Sequence, residues 1–224
     1  MTRIHDCSTA DGRSAGLAAA TEAVRTGRLV VLPTDTVYGL GCDAFDTDAV
    51  NALLRAKNRG PDMPVPVLVG SWTTIEGLVR EYTYTMRTLV EAFWPGGVSL
   101  VVHEAPSLPW NLGDTRGTVM LRMPAHPVAV DLLRETGPMA VSSANVSGHP
   151  PATTAQEAVD QLGEDVAVYL DGGDGTVGTA STIIDVSRDR PRVLREGAVP
   201  AGRVAEVLGM TPEELRGTCD PRRR

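Results

Sequence analysis

The order in which strand-like and helix-like segments follow one another most restricts the fold that this chain can adopt. Short apolar runs rich in Val and Leu alternate with longer segments of helical spacing, but the alternation is irregular. Residues 98–102 and 118–122 both have the character of strands, and no helical segment lies between them. We therefore predict an α/β domain with a single twisted, open, mixed sheet and flanking helices, rather than a doubly wound parallel sheet.

The predicted elements cover most of the chain without a linker. Strands are predicted at 28–32, 65–69, 98–102, 118–122, 138–141, 166–170, 182–186 and 192–194, and helices at 14–25, 49–56, 74–93, 126–135, 154–162 and 201–208. No internal repeat divides them, and 224 residues suffice to bury a large core. We therefore assign residues 1–210 to one domain and residues 211–224 to a C-terminal extension that is expected to be partly disordered.

Composition and charge exclude several classes of protein. The three cysteines are far apart and the four histidines show no metal-ligand spacing, so neither a disulfide framework nor a zinc site is predicted. The first 20 residues have no signal-peptide core, and no apolar run is long enough to span a bilayer. With a net charge of −7, the chain is predicted to be a soluble, cytoplasmic protein that binds RNA weakly or not at all.

Polar side chains gather where the predicted strands and helices end. The segment VVLPTDTVYGLGCDA leaves an apolar strand and at once places Thr34, Asp35, Thr36 and Tyr38 within five positions. We interpret this segment as one wall of a polar pocket, and a turn whose polar residues share no role is the alternative. Further clusters occur at 57–59, 118–122 and 142–145, and at Ser181 with Arg195.

The pair Lys57-x-Arg59 follows a predicted helix and precedes a Gly-Pro turn. Lys57 is the only lysine in a chain with 21 Lys and Arg residues, and lysine supplies a compact point charge that arginine does not. Two cations in this arrangement could converge on a polyanion such as a triphosphate. An exposed helix end that complements the helix dipole is the alternative.

Two other stretches carry candidate binding groups. Arg122 ends a predicted buried strand and needs an anion, which could be a ligand carboxylate or an internal Asp or Glu. The stretch SSAN at 142–145 offers hydroxyl and amide groups to phosphate oxygens, although a plain turn would use similar residues.

The sequence shows no residues arranged for covalent catalysis. The glycine-rich segment 171–178 lacks the Lys-Ser/Thr of a phosphate-binding P-loop, and we interpret it as a flexible turn. No Ser-His-Asp or Cys-His set is evident either. Cations, hydroxyls and amides predict a catalyst that acts through positioning and charge.

Seven short motifs occur together in a fixed order: LPTDTVYGLGCDA, AKNRGPDMPVPVLV, FWPGGVSLV, LRMPAHP, SSANVSG, ASTIIDV and LREGAV. With them the sequence resembles the YrdC-like family of threonylcarbamoyl-AMP synthases over nearly its whole length, and it matches the family's short, single-domain form. The resemblance implies a YrdC-like catalytic domain at residues 1–210. It also implies synthesis of threonylcarbamoyl-adenylate from L-threonine, bicarbonate and ATP, with release of pyrophosphate.

The same resemblance implies partners and site residues. Mg²⁺ would arrive with ATP, without a dedicated set of protein ligands, and a transferase complex would use the product for the t6A modification at position 37 of tRNA. Lys57 and Arg59 would be catalytic and hold the ATP phosphates, and the other nucleotide contacts would be Thr118, Asn145 and Arg195. Threonine would contact Thr36, Arg122, Ser143 and Ser181, in a pocket supported by Thr34 and Tyr38. The sequence departs from the family pattern at Asp35, where Glu is common, and at Gly60, Leu68 and Ala180.

Two other functions stay open on the sequence alone. One is a related enzyme of the same fold that makes carbamoyl-adenylate from carbamoyl phosphate, which a requirement for both threonine and bicarbonate would distinguish. The other is an RNA-binding module of this fold, against which the net charge of −7 argues.

Overall fold

The computed structural model of the chain describes residues 3–173 and 178–217. Within these residues ten strands form one sheet, whose order is β1-β8-β2-β3-β7-β4-β6-β5-β9-β10. The strands are β1 (Arg3–Asp6), β2 (Val30–Leu32), β3 (Gly39–Asp43), β4 (Val67–Leu68), β5 (Val98–His103), β6 (Thr118–Arg122), β7 (Met139–Ser143), β8 (Val168–Asp171), β9 (Thr182–Asp185) and β10 (Arg192–Arg195). Parallel and antiparallel neighbours alternate irregularly across the sheet, which confirms the predicted mixed, open sheet.

Helices pack on both faces of the sheet. They are α1 (Ala10–Arg25), α2 (Thr47–Ala56), α3 (Ile75–Leu78), α4 (Tyr84–Phe93), α5 (Pro127–Thr136), α6 (Ala155–Leu162), α7 (Ala201–Leu208) and α8 (Pro212–Leu215), with 3₁₀ turns at Trp72–Thr74 and Gly163–Asp165. Successive strand residues point to opposite faces, so Val30 and Leu32 pack with α1 and α5 in one core. Val31 lies in a second, larger core with residues of α2, α4, α6 and α7.

Strand β3 was not predicted, because its sequence GLGCD contains two glycines and has weak strand propensity. The glycines are required by close packing against β7. A Cβ atom at Gly39 would lie 2.6 Å from Val141 Cγ1, and one at Gly41 would lie 3.0 Å from Val141 Cγ2. Strand β3 begins directly after Tyr38 and pairs antiparallel with β2 on one side and β7 on the other.

The helix predicted over 74–93 is interrupted. Residues Ile75–Leu78 and Tyr84–Phe93 form separate helices, and between them Val79 forms an isolated antiparallel bridge with Glu104. The hydroxyl of Thr83 caps α4 by accepting a hydrogen bond from the Met86 N–H. A contact with a segment far away in the sequence thus overrides the local helical pattern.

The segment assigned to a C-terminal extension begins with an ordered turn of helix. Thr211 and Glu214 form a capping box at the start of α8, and Leu215 is fully buried. Residues 218–224, including Cys219 and the basic run 222–224, lie outside the described residues. Of the other two cysteines, both Cys7 and Cys42 are buried free thiols. No helix in the described part of the chain has the length and apolar character that crossing a membrane requires.

Candidate active site

A cavity of about 390 Å³ lies against the sheet, on the face that also carries α1 and α5. Its walls come from the β2–β3 turn and from seven strands that are consecutive neighbours in the sheet, from β3 to β10. Apolar side chains such as Leu68, Met120 and Val141 form the part that rests on the sheet. Polar side chains project into the same space from turns and strand ends, so the cavity can hold a ligand with both apolar and charged parts.

Eight of the eleven predicted site residues line this cavity. They are Thr34, Thr36, Tyr38, Arg59, Arg122, Ser143, Ser181 and Arg195. The fold therefore brings together groups that are as far apart in the sequence as residues 34 and 195. Lys57, Thr118 and Asn145 are absent from the lining.

The β2–β3 turn forms a wall of linked hydroxyl groups. Thr34 Oγ1 lies 3.0 Å from Thr36 Oγ1, donates to the carbonyl of Val37 at 2.6 Å and accepts from the Thr36 N–H. Both threonines are buried. The crowded polar residues are thus one wall of a pocket, as predicted, and their side chains are fixed by one another.

Arg122 is a buried cation held by three residues from two segments. Its Nε donates to the carbonyl of Gly96 at 2.8 Å, its Nη1 to Thr36 Oγ1 at 2.8 Å and its Nη2 to Asp35 Oδ1 at 2.6 Å. Burial lowers the pKa of the guanidinium, and the Asp35 carboxylate opposes that shift. The predicted internal partner is present as Asp35. Arg122 also lines the cavity, and its contact with a ligand carboxylate stays a prediction.

Lys57 lies behind the cavity wall and does not line it. It is only 2% exposed, and its ammonium donates to the carbonyls of Ser143 and Asn145 and to the side-chain oxygen of Asn145. These acceptors are neutral, so burial is the main cause that lowers the pKa of Lys57 to about 8, with nearby Arg59 adding to the effect. The donors of its ammonium are used by the turn at 143–145, and the direct contact of Lys57 with phosphates stays a prediction.

Asn145 is likewise committed to the turn. Its side-chain nitrogen donates to the carbonyls of Val146 and His149, while its oxygen accepts from Lys57. Thr118 lies at the start of β6 and donates to the carbonyl of Thr115. It shares a face of the strand with the lining residues Met120 and Arg122 because strand side chains alternate, but it is further from the cavity.

Arg59 is a loosely held cation at the cavity. Its two terminal nitrogens make long contacts of 3.4 Å, one with Ser142 Oγ and the other with the carbonyl of Pro64. Its Nε is buried and has no hydrogen-bond partner among the described residues. Burial lowers the pKa of Arg59, and nearby Asp62 opposes the shift. A half-buried guanidinium with weakly used donors is suited to an anionic ligand.

Ser181 and Arg195 meet at the other side of the cavity. Arg195 donates to the carbonyl of Ser181 at 2.7 Å and to its hydroxyl at 3.2 Å, while Ser99 Oγ lies 2.9 Å from Ser181 Oγ. Ser99 is buried, lines the cavity and was not among the predicted site residues. Its position near the start of β5, next to the WPGG turn, is the signal that could have identified it, since the other site residues also lie at or near strand ends.

Tyr38 connects the cavity to the glycine-rich segment. Its hydroxyl donates to the carbonyl of Gly173 at 3.0 Å and accepts from the Gly172 N–H at 3.2 Å. At the other end of the segment, the Gly178 N–H donates to the carbonyl of Thr36. Residues 174–177 lie outside the described part, so the predicted flexible turn is described only at its two ends, and both ends are attached to the β2–β3 turn.

The cavity is cationic although the chain is acidic. Arg59, Arg122 and Arg195 line it, and none of the described lining residues carries a carboxylate. Among residues 3–173 and 178–217, no three His, Cys, Asp or Glu side chains gather in a way that could hold a metal ion. Three guanidinium groups beside a set of hydroxyls can bind phosphate and carboxylate groups and can stabilise negative charge that develops during a reaction.

Comparison with known proteins shows which family this chain resembles. The family model Sua5/YciO/YrdC, described as "Telomere recombination", matches residues 22–197. A Mycobacterium tuberculosis protein with the name "Putative threonylcarbamoyl-AMP synthase" is 60% identical over 217 residues, which are 97% of this chain and 100% of that protein. The threonylcarbamoyl-AMP synthase of Pyrococcus abyssi is 36% identical over 187 residues, which cover 83% of this chain and 55% of that protein.

Solved structures agree with the sequence comparison. The crystal structure of P. abyssi Sua5 complexed with L-threonine superimposes with a TM-score of 0.87 at 32% identity, and it covers 94% of this chain. The present chain spans only 62% of that Sua5 chain. The crystal structure of E. coli YciO gives a TM-score of 0.75 at 25% identity, with 88% of this chain and 95% of that chain covered. The sequence, the sheet topology and the family match together show that this chain belongs to the Sua5/YciO/YrdC family.

Proposed function

We propose that this protein is an L-threonylcarbamoyladenylate synthase, a nucleotidyltransferase that forms threonylcarbamoyl-AMP and pyrophosphate from L-threonine, bicarbonate and ATP. The observation that carries the proposal is the cavity itself, in which three arginines and a wall of hydroxyl groups share one space. An amino acid supplies a carboxylate for one guanidinium, and a nucleotide supplies phosphates for the others. Relatives with the name threonylcarbamoyl-AMP synthase support the same assignment.

The threonine subsite is proposed at the β2–β3 turn. Arg122 lies there beside Thr36, and Ser143 and Ser181 line the same cavity. A guanidinium pairs well with a carboxylate, and hydroxyl groups can accept from an ammonium group or donate to an alcohol oxygen. Thr34 and Tyr38 are part of the same wall and hold its shape through their contacts with Val37 and Gly173.

The nucleotide subsite is proposed at Arg59 and Arg195. Both guanidinium groups line the cavity, and Thr118 extends the same face of β6 beyond Met120. Lys57 and Asn145 act on this subsite through the turn at 143–145 that they hold in place. This assignment replaces a direct phosphate contact by Lys57 with an indirect one, because its ammonium is already bound by three oxygens.

The proposed reaction needs no covalent bond to the protein. Bicarbonate first takes up a proton and loses water to give carbon dioxide. The threonine amine then adds to the carbon dioxide and releases a proton, which gives N-carboxythreonine. An oxygen of the new carbamate then forms a bond with the α-phosphorus of ATP, and the bond from that phosphorus to the bridging oxygen breaks to release pyrophosphate. Arg59 stabilises the negative charge that develops on the leaving group, and the hydroxyl wall keeps the amino acid aligned with the phosphorus.

The ATP substrate is proposed to enter as its Mg²⁺ complex. The cavity lining offers guanidinium and hydroxyl groups but no cluster of carboxylates among the described residues, so the metal would be held by the phosphates. The product is proposed to pass to a transferase complex that completes the t6A modification at position 37 of tRNA. That role would place the protein in the cytoplasm, with little direct affinity of its own for RNA.

Pyrophosphate release tests the proposal directly. The full chain would be assayed with MgATP, L-threonine and bicarbonate, and then with each of the three omitted in turn. Release should require all three, and the product should have the mass of threonylcarbamoyl-AMP. ATP turnover that needs carbamoyl phosphate instead of threonine and bicarbonate would replace this proposal with the related carbamoyl-adenylate reaction.

A further inference from the structure

The carboxylate of Asp35 is outside the cavity lining, yet it is bound to a guanidinium that lines the cavity. Resting on the proposed function, we propose that Asp35 is a positioning residue for the amino-acid substrate, because its carboxylate holds the Arg122 guanidinium in the orientation that receives the substrate carboxylate. Asp35 would act through Arg122 and would not touch the substrate.

The hydrogen bonds of Arg122 leave donors for a ligand. A guanidinium has five N–H groups, and the contacts with Gly96, Thr36 and Asp35 use one on each of its three nitrogens. One N–H therefore remains on each of the two terminal nitrogens. Since Arg122 faces the cavity, these two donors can receive a carboxylate only if the plane of the guanidinium is fixed.

Asp35 differs from the other two anchors because it is charged and is itself anchored. Gly96 and Thr36 offer neutral oxygens, whereas Asp35 contributes the negative charge that a buried cation requires. The same oxygen, Oδ1, also accepts from the Ala125 N–H at 2.8 Å. The carboxylate thus ties the β2–β3 turn to the chain that leaves β6, and the Asp35–Arg122 pair cannot swing as a unit.

The geometry also explains why Asp35 does not simply block the substrate. Its contact is with Nη2 alone, and its carboxylate is 22% exposed and is absent from the cavity lining. A second carboxylate approaching from the cavity would meet the unused N–H groups. The resident carboxylate would keep Arg122 in place between turnovers, when no substrate carboxylate is there to balance the charge.

Binding of L-threonine in the absence of ATP, measured by calorimetry on the full chain, tests the proposal. Asp35→Ala should weaken threonine binding by about 10- to 100-fold, because a misplaced guanidinium loses its alignment with the ligand. Affinity for MgATP should change far less. If Asp35 acts through Arg122, the double variant Asp35→Ala with Arg122→Ala should bind threonine no more weakly than Arg122→Ala alone.

Two further variants separate positioning from loss of structure. Asp35→Asn keeps the shape and the acceptor oxygen, so it should fold normally and weaken threonine binding less than Asp35→Ala. Asp131→Ala removes the carboxylate of another Asp–Arg ion pair, with Arg13, away from the cavity, and should leave threonine binding unchanged.

Three outcomes would overturn the proposal. They are unchanged threonine affinity in Asp35→Ala, equal weakening for threonine and MgATP, and additive losses in the double variant. A wild-type chain that binds no threonine and releases no pyrophosphate would contradict the proposed function instead, so the two failures can be told apart.

Discussion

At the scale of single residues, Lys57 and Arg122 show two ways of burying a cation beside a binding cavity. Arg122 has a carboxylate partner in Asp35, whereas Lys57 is surrounded by neutral oxygens of the turn at 143–145. A buried charge without a counter-charge is costly, which is why burial depresses the pKa of Lys57 to about 8. Arg122 therefore faces the cavity with its charge balanced, whereas the donors of Lys57 are used by the turn.

Arg59→Ala is predicted to slow pyrophosphate release by roughly 10²- to 10³-fold, because it removes a cation that would stabilise the leaving group. The two contacts of Arg59 are both 3.4 Å long, so the thermal melting temperature should hardly change. Arg55→Ala is the matched control, since Arg55 is an exposed residue in the last turn of α2 and outside the cavity lining. Full activity in Arg59→Ala, or an equal loss of activity in Arg55→Ala, would contradict the assignment of Arg59 to the active site.

The depressed pKa of Lys57 predicts a particular pH dependence of stability. The pKa is about 8 in the folded chain and 10.5 for an unperturbed lysine, so between these values the unfolded state binds more protons. Stability attributable to Lys57 should therefore rise with pH through this window. The free energy of unfolding of the wild type, minus that of Lys57→Met, should increase by about 2 to 3 kcal/mol from pH 7 to pH 10.

Subtracting the free energy of unfolding of Lys57→Met from that of the wild type removes the contributions of tyrosines and cysteines, which titrate in the same range in both proteins. Denaturant unfolding at four or five pH values would supply the measurement. A difference that stays constant, or that falls as the pH rises, would show that Lys57 is not a buried ammonium held by neutral oxygens.

Sequence reasoning found most residues of the candidate site but not the directions of all their side chains. Hydroxyls and arginines at strand ends were identifiable because such positions meet at one part of a sheet, and eight of eleven line the cavity. The direction of Lys57 was not, because it depends on carbonyl groups 86 and 88 positions away. Asp35 was noted as part of the polar segment and as a departure from the family pattern, but its pairing with Arg122 was not predicted, since Arg122 lies 87 residues further along the chain.

At the scale of elements, long-range contacts decide where local propensity was misleading. The glycines of β3 gave no strand signal, yet close packing against β7 requires them. Residues 79–83 carry a helical pattern, yet the bridge between Val79 and Glu104 interrupts the helix there. Elements with strong local signals, such as β6 at Thr118–Arg122 and α7 at Ala201–Leu208, have the predicted bounds.

Gly39→Ala is predicted to destabilise the fold by roughly 1 to 3 kcal/mol, because the new methyl group would overlap Val141 in the neighbouring strand. Gly77→Ala is a matched control within α3, where no atom lies within 4 Å of the added Cβ. That change should be neutral or should stabilise the chain by about 0.4 to 1 kcal/mol. Denaturant unfolding of both variants checks the prediction, and equal effects would contradict the role assigned to Gly39.

At the scale of the whole molecule, the sheet brings residues that are distant in the sequence together around one cationic cavity of an acidic protein. The class of sheet was predictable from the irregular alternation of elements, but its order was not, since neighbours such as β3 and β7 are about 100 residues apart. Arg59, Arg122 and Arg195 come together only through that order. They form a local cluster of positive charge, while the chain as a whole carries a net charge of −7.

This distribution of charge predicts that the protein distinguishes small anions from nucleic acid. Inorganic pyrophosphate fits the cavity and should inhibit the reaction, whereas tRNA needs a continuous basic surface that an acidic chain opposes. No mobility shift of tRNA is expected at protein concentrations up to about 10 µM in physiological salt. A chain ending at Gly217 lacks the basic run 222–224 and should behave identically. Tight tRNA binding that does not depend on threonine would instead support an RNA-binding module, with Arg59 and Arg195 as contacts for the phosphate backbone.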